Sequence, residues 1–323
     1  MKYNMARTAR RIVEDVAGIA PGENVLLVTD PDRPFAITEA LAHAVAGAGA
    51  VLCVMQMPPH KMGGIDPPPH VGAAMAASDV AILQTSFATV HTDTARNALK
   101  KGARIVEMWG WTEDMMTEGG ALADYAEVQR VTERLAETLG RSKRVRFTTP
   151  KGSDLRICIE GRICHPLTGT AKKRGTFTAF PDGEVAISPL EGSAEGVLVD
   201  PISIEHKDIG ILREPFGKIE ISAGKVVSMD GSAKAARFWQ VLTEKGETAK
   251  NIAEFAIGTN PACRPYASLR EAKKAMGTCH VAVGDSGSIG GKVVSPIHVD
   301  LIFDRPTMYL DDRMIIENGV IVA

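Results

Sequence analysis

Val25-Leu26-Leu27-Val28-Thr29 is an apolar, β-branched run entered from Pro21-Gly22 and left through Asp30-Pro31, and the reading of the first half turns on it. A short strand without polar alternation is one buried on both faces, the habit of parallel sheets covered by helices. Phe35 to Gly47 then carries Ala, Leu and Val at helical spacing and stops at a glycine. The alternation repeats. Ala50 to Met55 reads as a second buried strand, Val71 to Ala77 as a helix and Asp79 to Gln84 as a third strand. Thr92 to Lys101 reads as a helix closing at Gly102, Ala103 to Met108 as a fourth strand, and Tyr125 to Leu139 as an amphipathic helix. Strands separated by helices predict a Rossmann-like parallel α/β domain.

Beyond the basic stretch Arg141 to Arg146 the texture changes. Val145 to Thr149, Asp154 to Glu160, Lys218 to Ser222, Lys225 to Met229 and Met314 to Val322 are short, alternating or β-branched segments between Gly and Pro turns. Ser222-Ala223-Gly224 joins two of them as a hairpin. Clear helical patterns occur only at Ala233 to Leu242 and Ser268 to Met276. The fold class predicted is therefore α/β, with a Rossmann-like domain over residues 1–142 and a β-rich α+β, metal-binding domain over residues 143–323. The Pro-rich segment Met57 to His70 reads as an excursion loop within the first.

Composition narrows the function. The 323 residues are 45% apolar and 24% charged, which excludes wholesale disorder. Thirty-seven basic against 39 acidic residues leave no positive excess for nucleic acid. The five cysteines form no C-x-x-C pair, so neither a zinc ribbon nor a disulfide framework is indicated. No apolar stretch approaches the ~18 residues of a membrane span, and no signal peptide is expected at the start, so a cytoplasmic enzyme is the expectation. A dinucleotide site is not expected either. After the first strand, Pro31 and Pro34 stand where glycines would let a backbone approach a pyrophosphate, and there is no Walker A motif.

The polar residues that break apolar runs gather in the second half. His298-Val299-Asp300 puts two ligand types at i and i+2, one face of a strand. His280 opens another strand-like segment, and the glycine-rich turn Gly284 to Gly291 lets the two fold back together. Glu184 and Glu254 each interrupt an apolar stretch. Alone, either is better read as a surface-facing carboxylate on an edge strand or in a turn salt bridge, since charged side chains are mostly exposed.

Four pieces in order along the chain, FPDGEVAISP (180–189), NIAEFAIGTNP (251–261), HVAVG (280–284) and HVD (298–300), resemble the aminopeptidase T-like metallopeptidases. Thr85 to Thr92 and Gly102 to Arg104 extend the resemblance into the first half. It implies a metallohydrolase in which Glu184, Glu254, His280, His298 and Asp300 hold two divalent ions, zinc or cobalt. The substrate would be a peptide or related amide, and the protein a homodimer. Three carboxylates and two imidazoles suit that chemistry, since one carboxylate can bridge two ions and leave positions open for water.

The chain is shorter than those peptidases. Gly290-Gly291-Lys292, Pro296 to Asp300 and Met308 to Arg313 are similar instead to the 2,5-dihydroxypyridine 5,6-dioxygenases, which implies a single Fe(II) and ring cleavage of a small dihydroxylated heterocycle. His298 and Asp300 map onto two ligands of that iron, and its third histidine falls at Glu254. His91 resembles that family's catalytic histidine, its plainer reading being a polar residue at a helix start. A facial set of two histidines and one carboxylate is offered by His280, His298 and Asp300, with His298, Asp300 and Glu254 as the variant. Ligand count favours the hydrolase, and the dioxygenase is the alternative. Cys279 reads as a small buried hydrophobe rather than a nucleophile. Trp109-Gly110-Trp111 reads either as pocket lining at the sheet's carboxyl edge or as packing, and Lys172-Lys173-Arg174 as a solvated loop.

Overall fold

The computed structural model describes residues 2–90 and 92–322. His91, the histidine expected in a catalytic role, lies outside the described residues. Packing divides the chain into two units, Met1–Ala126 with Thr168–Asp182, and Glu127–Leu167 with Gly183–Ala323.

The first unit is built on a five-stranded parallel sheet in the order Val51–Gln56, Asn24–Thr29, Val80–Gln84, Arg104–Glu107, Phe177–Thr178. Helices Phe35–Gly47, Pro69–Ala77 and Asp93–Lys100 connect the first four strands. Leu26, Val28, Ala81, Leu83 and Ile105 pack with Val71, Met75, Ala95 and Ala98 in one apolar layer. Val25, Leu27, Ile82 and Val106 alternate with them and are buried too, so both faces of the sheet are covered. The parallel α/β architecture is thus as the sequence predicts. The strand Val51–Gln56 departs from expectation. Sheet order puts it at the edge, and Val51 and Val54 are exposed rather than buried.

The turn after Asn24–Thr29 is closed by Asp30. One of its carboxylate oxygens accepts from the Ser86 amide (2.6 Å) and the other from the Ser86 hydroxyl (2.8 Å) and the Asp32 amide (3.0 Å). Buried Glu107 similarly accepts from the amides of Thr89 and Val90, both at 2.8 Å. Trp111 is packing: it is fully buried, stacks on Phe180 with ring centroids 5.5 Å apart, and donates its indole N–H to the Phe180 carbonyl. Lys172, Lys173 and Arg174 are exposed.

The second unit holds two antiparallel sheets that share one apolar core. The eight-stranded sheet runs Lys225–Gly231, Gly217–Ser222, Glu195–Val199, Asp154–Cys158, Arg144–Thr148, Thr307–Leu310, Arg313–Glu317, Val320–Ile321. The seven-stranded sheet runs Gly210–Ile211, Ser203–Ile204, His298–Asp304, Thr278–Gly284, Ile252–Gly258, Glu184–Ile187, Cys164–Leu167. Phe147 of the first meets Phe255 and Phe303 of the second at 5.8 and 5.9 Å between ring centroids, and Val185, Ile187, Ile257, Cys279, Val281 and Leu301 fill the layer around them. The helix Ala233–Lys245 adds Phe238 and Leu242 to that layer. No helix among the described residues is long and apolar enough to cross a membrane.

Two local expectations are corrected. Met314 to Val322 is not one strand but two, Arg313–Glu317 and Val320–Ile321, turned at Asn318-Gly319 with both residues at positive φ. Ser268 to Met276 is helical only over Leu269–Ala272, capped by the Ser268 hydroxyl, after which the chain winds into a turn.

Candidate metal centre

Four neighbouring strands of the seven-stranded sheet carry the five polar residues singled out above, and strand periodicity decides where they point. Val185, Ile187, Phe255, Ile257, Cys279, Val281, Val283, Val299, Leu301 and Phe303 all enter the core. Their alternating neighbours Glu184, His280, His298 and Asp300 therefore emerge together on the other face. Glu254 joins them through a register shift between Ile252 and Glu254, which lets Ile252 stay in the core without taking Glu254 with it. Cys279 faces the core, and burial pushes its thiol pKa up, as suits an inert packing residue.

Register then brings the side chains level. Ala282 stands directly opposite Glu254 on one side and Asp300 on the other, so the two carboxylates converge over a methyl group. His280 pairs with Ala256, Glu184 with Gly258, and His298 with Gly284. The cross-strand neighbours of these residues are thus mostly Ala or Gly, with Ala186 beside Ala256, the exceptions being Ile302 next to His280 and Leu167 next to Glu184. Large residues here would fill the space into which the polar groups project.

The polar atoms form two triads that share one carboxylate. Glu184, Glu254 and His280 each offer a donor atom within 4.8 Å of the others, as do Glu254, His298 and Asp300. One Glu254 oxygen is 3.3 Å from His280 Nε2 and the other is 3.1 Å from His298 Nε2. His280 Nε2 is also 3.7 Å from Glu184 Oε2, and His298 Nε2 is 3.2 Å from Asp300 Oδ1. The structure therefore brings all five residues into one cluster but splits the two histidines between its halves. The expected facial set of His280, His298 and Asp300 does not form one group. Its variant with Glu254, His298 and Asp300 does.

The charges of the cluster are crowded together and incompletely hydrogen-bonded. Glu184 Oε2 and Asp300 Oδ1 are buried without a well-formed hydrogen bond, a costly state for a carboxylate oxygen. Burial disfavours charge on His298, yet the close carboxylates of Asp300 and Glu254 outweigh it and hold the imidazole pKa well above its ordinary value. The same neighbours raise His280, against a similar burial penalty. Burial alone would raise Glu254, but its contacts with the two histidines hold it far below the usual carboxylate range. The tautomer of His298 follows from its other nitrogen. Nδ1 is 2.7 Å from the Asp285 carbonyl oxygen, which only accepts, so Nδ1–H donates and Nε2 of the neutral ring presents its lone pair to the cluster. Donors of this mix suit a divalent transition ion, and the free carboxylate oxygens and the oriented Nε2 are placed to bind it.

Three further charged residues close the cluster, and none of them is marked out by its local pattern. Lys273 Nζ lies 2.7 Å from Asp300 Oδ2 and 2.7 Å from Glu205 Oε2. Buried Lys274 lies 2.6 Å from Glu184 Oε1. Both lysines come from the turn that ends the short helix Leu269–Ala272. In sequence they look like a solvated pair on a longer helix, since charged side chains are mostly exposed.

Comparison with known proteins gives the family and the fold. A family model described as 2,5-dihydroxypyridine 5,6-dioxygenase matches residues 8–323. The 2,5-dihydroxypyridine 5,6-dioxygenase of Pseudomonas putida is 24% identical over 268 residues, covering 77% of this chain and 73% of that protein. The solved structure of 2,5-dihydroxypyridine dioxygenase from Pseudomonas putida KT2440 superposes with a TM-score of 0.84 at 18% identity, over 100% of this chain and 98% of that one. Wild-type AmpT from Thermus thermophilus superposes with a TM-score of 0.75 at 15% identity over the full length of both. The fold is thus shared with both a dioxygenase and an aminopeptidase T.

Proposed function

This chain belongs to the 2,5-dihydroxypyridine 5,6-dioxygenase family, and on that premise we propose that it is a divalent-metal enzyme opening the ring of a small dihydroxylated heterocycle with dioxygen, its ion held by Glu254, His298 and Asp300. The hydrolase reading favoured by ligand count gives way, because the family match spans nearly the whole chain while the likeness to aminopeptidase T is one of fold. The observation that carries the proposal is the convergence of the Glu254 and Asp300 carboxylates over Ala282, with His298 Nε2 turned toward both.

Fe(II) bound there would supply a centre on which a substrate hydroxyl and dioxygen meet, with open positions left by three protein ligands. The chain's own residues prepare it. The Asp285 carbonyl fixes the His298 ring, and Lys273 fixes Asp300. His91 is proposed as the acid–base residue, by its resemblance to the family's catalytic histidine.

A second reading has a specific observation behind it. The triad Glu184, Glu254 and His280 doubles the first, with Glu254 shared, and two ions bridged by one carboxylate suit hydrolysis of an amide by activated water. One experiment separates the two. The chelator-stripped protein is loaded anaerobically with Fe(II), or with zinc or cobalt, and offered 2,5-dihydroxypyridine and a set of short peptides. Oxygen consumed mole for mole with the pyridine under Fe(II) supports the dioxygenase. Peptide hydrolysis with two zinc or cobalt ions per chain and no oxygen uptake replaces it with the hydrolase.

A further inference from the structure

Lys273 and Lys274 are adjacent in sequence, yet each reaches a different half of the cluster. Lys273 Nζ takes Asp300 Oδ2, and Lys274 Nζ takes Glu184 Oε1. In both carboxylates the oxygen held by the lysine faces away from the histidines, and the other one, Asp300 Oδ1 or Glu184 Oε2, is the buried atom left without a well-formed hydrogen bond. A carboxylate whose one oxygen is held by an ammonium group presents the other more readily to a cation, because the held oxygen is fixed in place and its charge is partly neutralised. The two lysines thereby impose the same one-oxygen presentation on the outer carboxylate of each triad, while Glu254 between them spends one oxygen on each histidine.

The turn that carries the lysines is rigidly fastened. The Lys274 amide donates to the Glu271 carbonyl, and the Lys274 carbonyl accepts from the Asn260 amide at 2.9 Å. The Met276 amide returns a bond to the Asn260 carbonyl, and the Thr278 hydroxyl is 2.8 Å from the Ala275 carbonyl. Glu205 anchors Lys273 from the far side, and its own amide donates to the Asp300 carbonyl. Ammonium groups with this many constraints, Lys274 buried and Lys273 half-buried, have little freedom to follow a carboxylate that moves.

We propose that Lys273 and Lys274 are positioning residues, one for each half of the metal centre, that fix Asp300 and Glu184 as one-oxygen donors. The inference rests on the metal-binding reading above, but not on whether the reaction is oxygenation or hydrolysis. Outer groups that orient a ligand typically contribute 10–100-fold to ion affinity, and here the contribution is local to one half.

The test titrates the chelator-stripped full chain with Co2+ alone, followed by calorimetry and by the visible Co(II) spectrum. His298→Ala and His280→Ala identify which binding event belongs to which half. Lys273→Met is expected to weaken the event that His298→Ala abolishes by about 10–100-fold and to leave the other within about threefold, and Lys274→Met to do the converse. The visible band of the affected half should also lose intensity, as the released carboxylate closes on the ion with both oxygens and raises its coordination number. If the wild type shows a single event, the lysine of that half alone is expected to matter. Glu205→Gln, which keeps Lys273 but removes its second anchor, should move the Lys273 event in the same direction by less, and it serves if a methionine variant fails to fold. Lysine variants that titrate like the wild type, or that weaken both events equally as general loosening would, overturn the proposal while leaving the metal centre in place. A wild type that takes up no Co2+ overturns the metal-binding reading itself.

Discussion

Glu254 is the residue on which both triads depend, because each of its oxygens faces a different histidine. Glu254→Gln is therefore expected to weaken ion binding at both halves, on the order of 10–100-fold or more, whereas Asp300→Asn should affect only the half with His298. Calorimetric titration of the two variants checks the contrast, and equal effects would count against a shared carboxylate. The histidines give a pH dependence with a definite sign. Without an ion, the His298 pKa is well above that of a free imidazole, so its protonated form contributes stability that is full below about pH 6.5. That contribution is lost as pH rises through the raised folded value. An ion must displace the same proton, so apparent ion affinity should rise over that pH range with protons released on binding. Titration in buffers of different ionisation enthalpy measures the release, and affinity that falls with rising pH would contradict it. The five clustered residues were named together from the sequence only through the family resemblance, since as a polar interruption of an apolar run Glu184 or Glu254 alone reads as a surface carboxylate. Lys273, Lys274 and Glu205 were not legible, since nothing local distinguishes a lysine that turns inward from one that stays in water.

At the scale of elements, small residues are what let the cluster form. Ala282 lies under both Glu254 and Asp300, and Gly258 lies so close to the lysine-bearing turn that a Cβ there would fall 2.2 Å from the Ala275 carbonyl oxygen. Gly258→Ala is expected to cost about 1–3 kcal/mol through overpacking and to displace the turn that holds Glu184 through Lys274. Urea unfolding reads the first effect and ion titration the second. A variant with wild-type midpoint and affinity would show that the turn has slack. The strands and helices of the parallel sheet could be read from the sequence nearly in full, because burial on both faces leaves long unbroken apolar runs. Val51–Gln56 has such a run and still lies at an edge, since strand order is not written in any one strand. Cys164–Leu167 contains Pro166, and Glu195–Val199 contains Gly196, so neither shows a strand pattern. Ser268 to Met276 carries helical periodicity but is pulled into a turn by Asn260 and Thr278, tertiary bonds that periodicity does not encode.

For the molecule as a whole, the cluster lies within the second unit, on a sheet whose opposite face forms that unit's core. Ion binding should then protect that unit selectively. At an ion concentration a hundred times its Kd the linked stabilisation is about 2.7 kcal/mol. It should appear as slowed amide exchange in Glu184–Ile187, Ile252–Gly258, Thr278–Gly284 and His298–Asp304, with little change in Asn24–Thr29 or Val80–Gln84. Protection confined to the parallel sheet would place the ion elsewhere. The family resemblance in sequence identified both the dioxygenases and the aminopeptidase T group, but ligand count pointed to the second. The split of the histidines became visible only with strand register in hand. The measurement that bears most directly on the metal centre is an anomalous difference map from crystals of the Fe(II)- or Co(II)-loaded protein, recorded on either side of the metal's absorption edge. A peak bounded by Glu254, His298 and Asp300, with or without a second at Glu184 and His280, is the expected result. A fully loaded crystal whose only peak lies away from Glu254 would contradict the account.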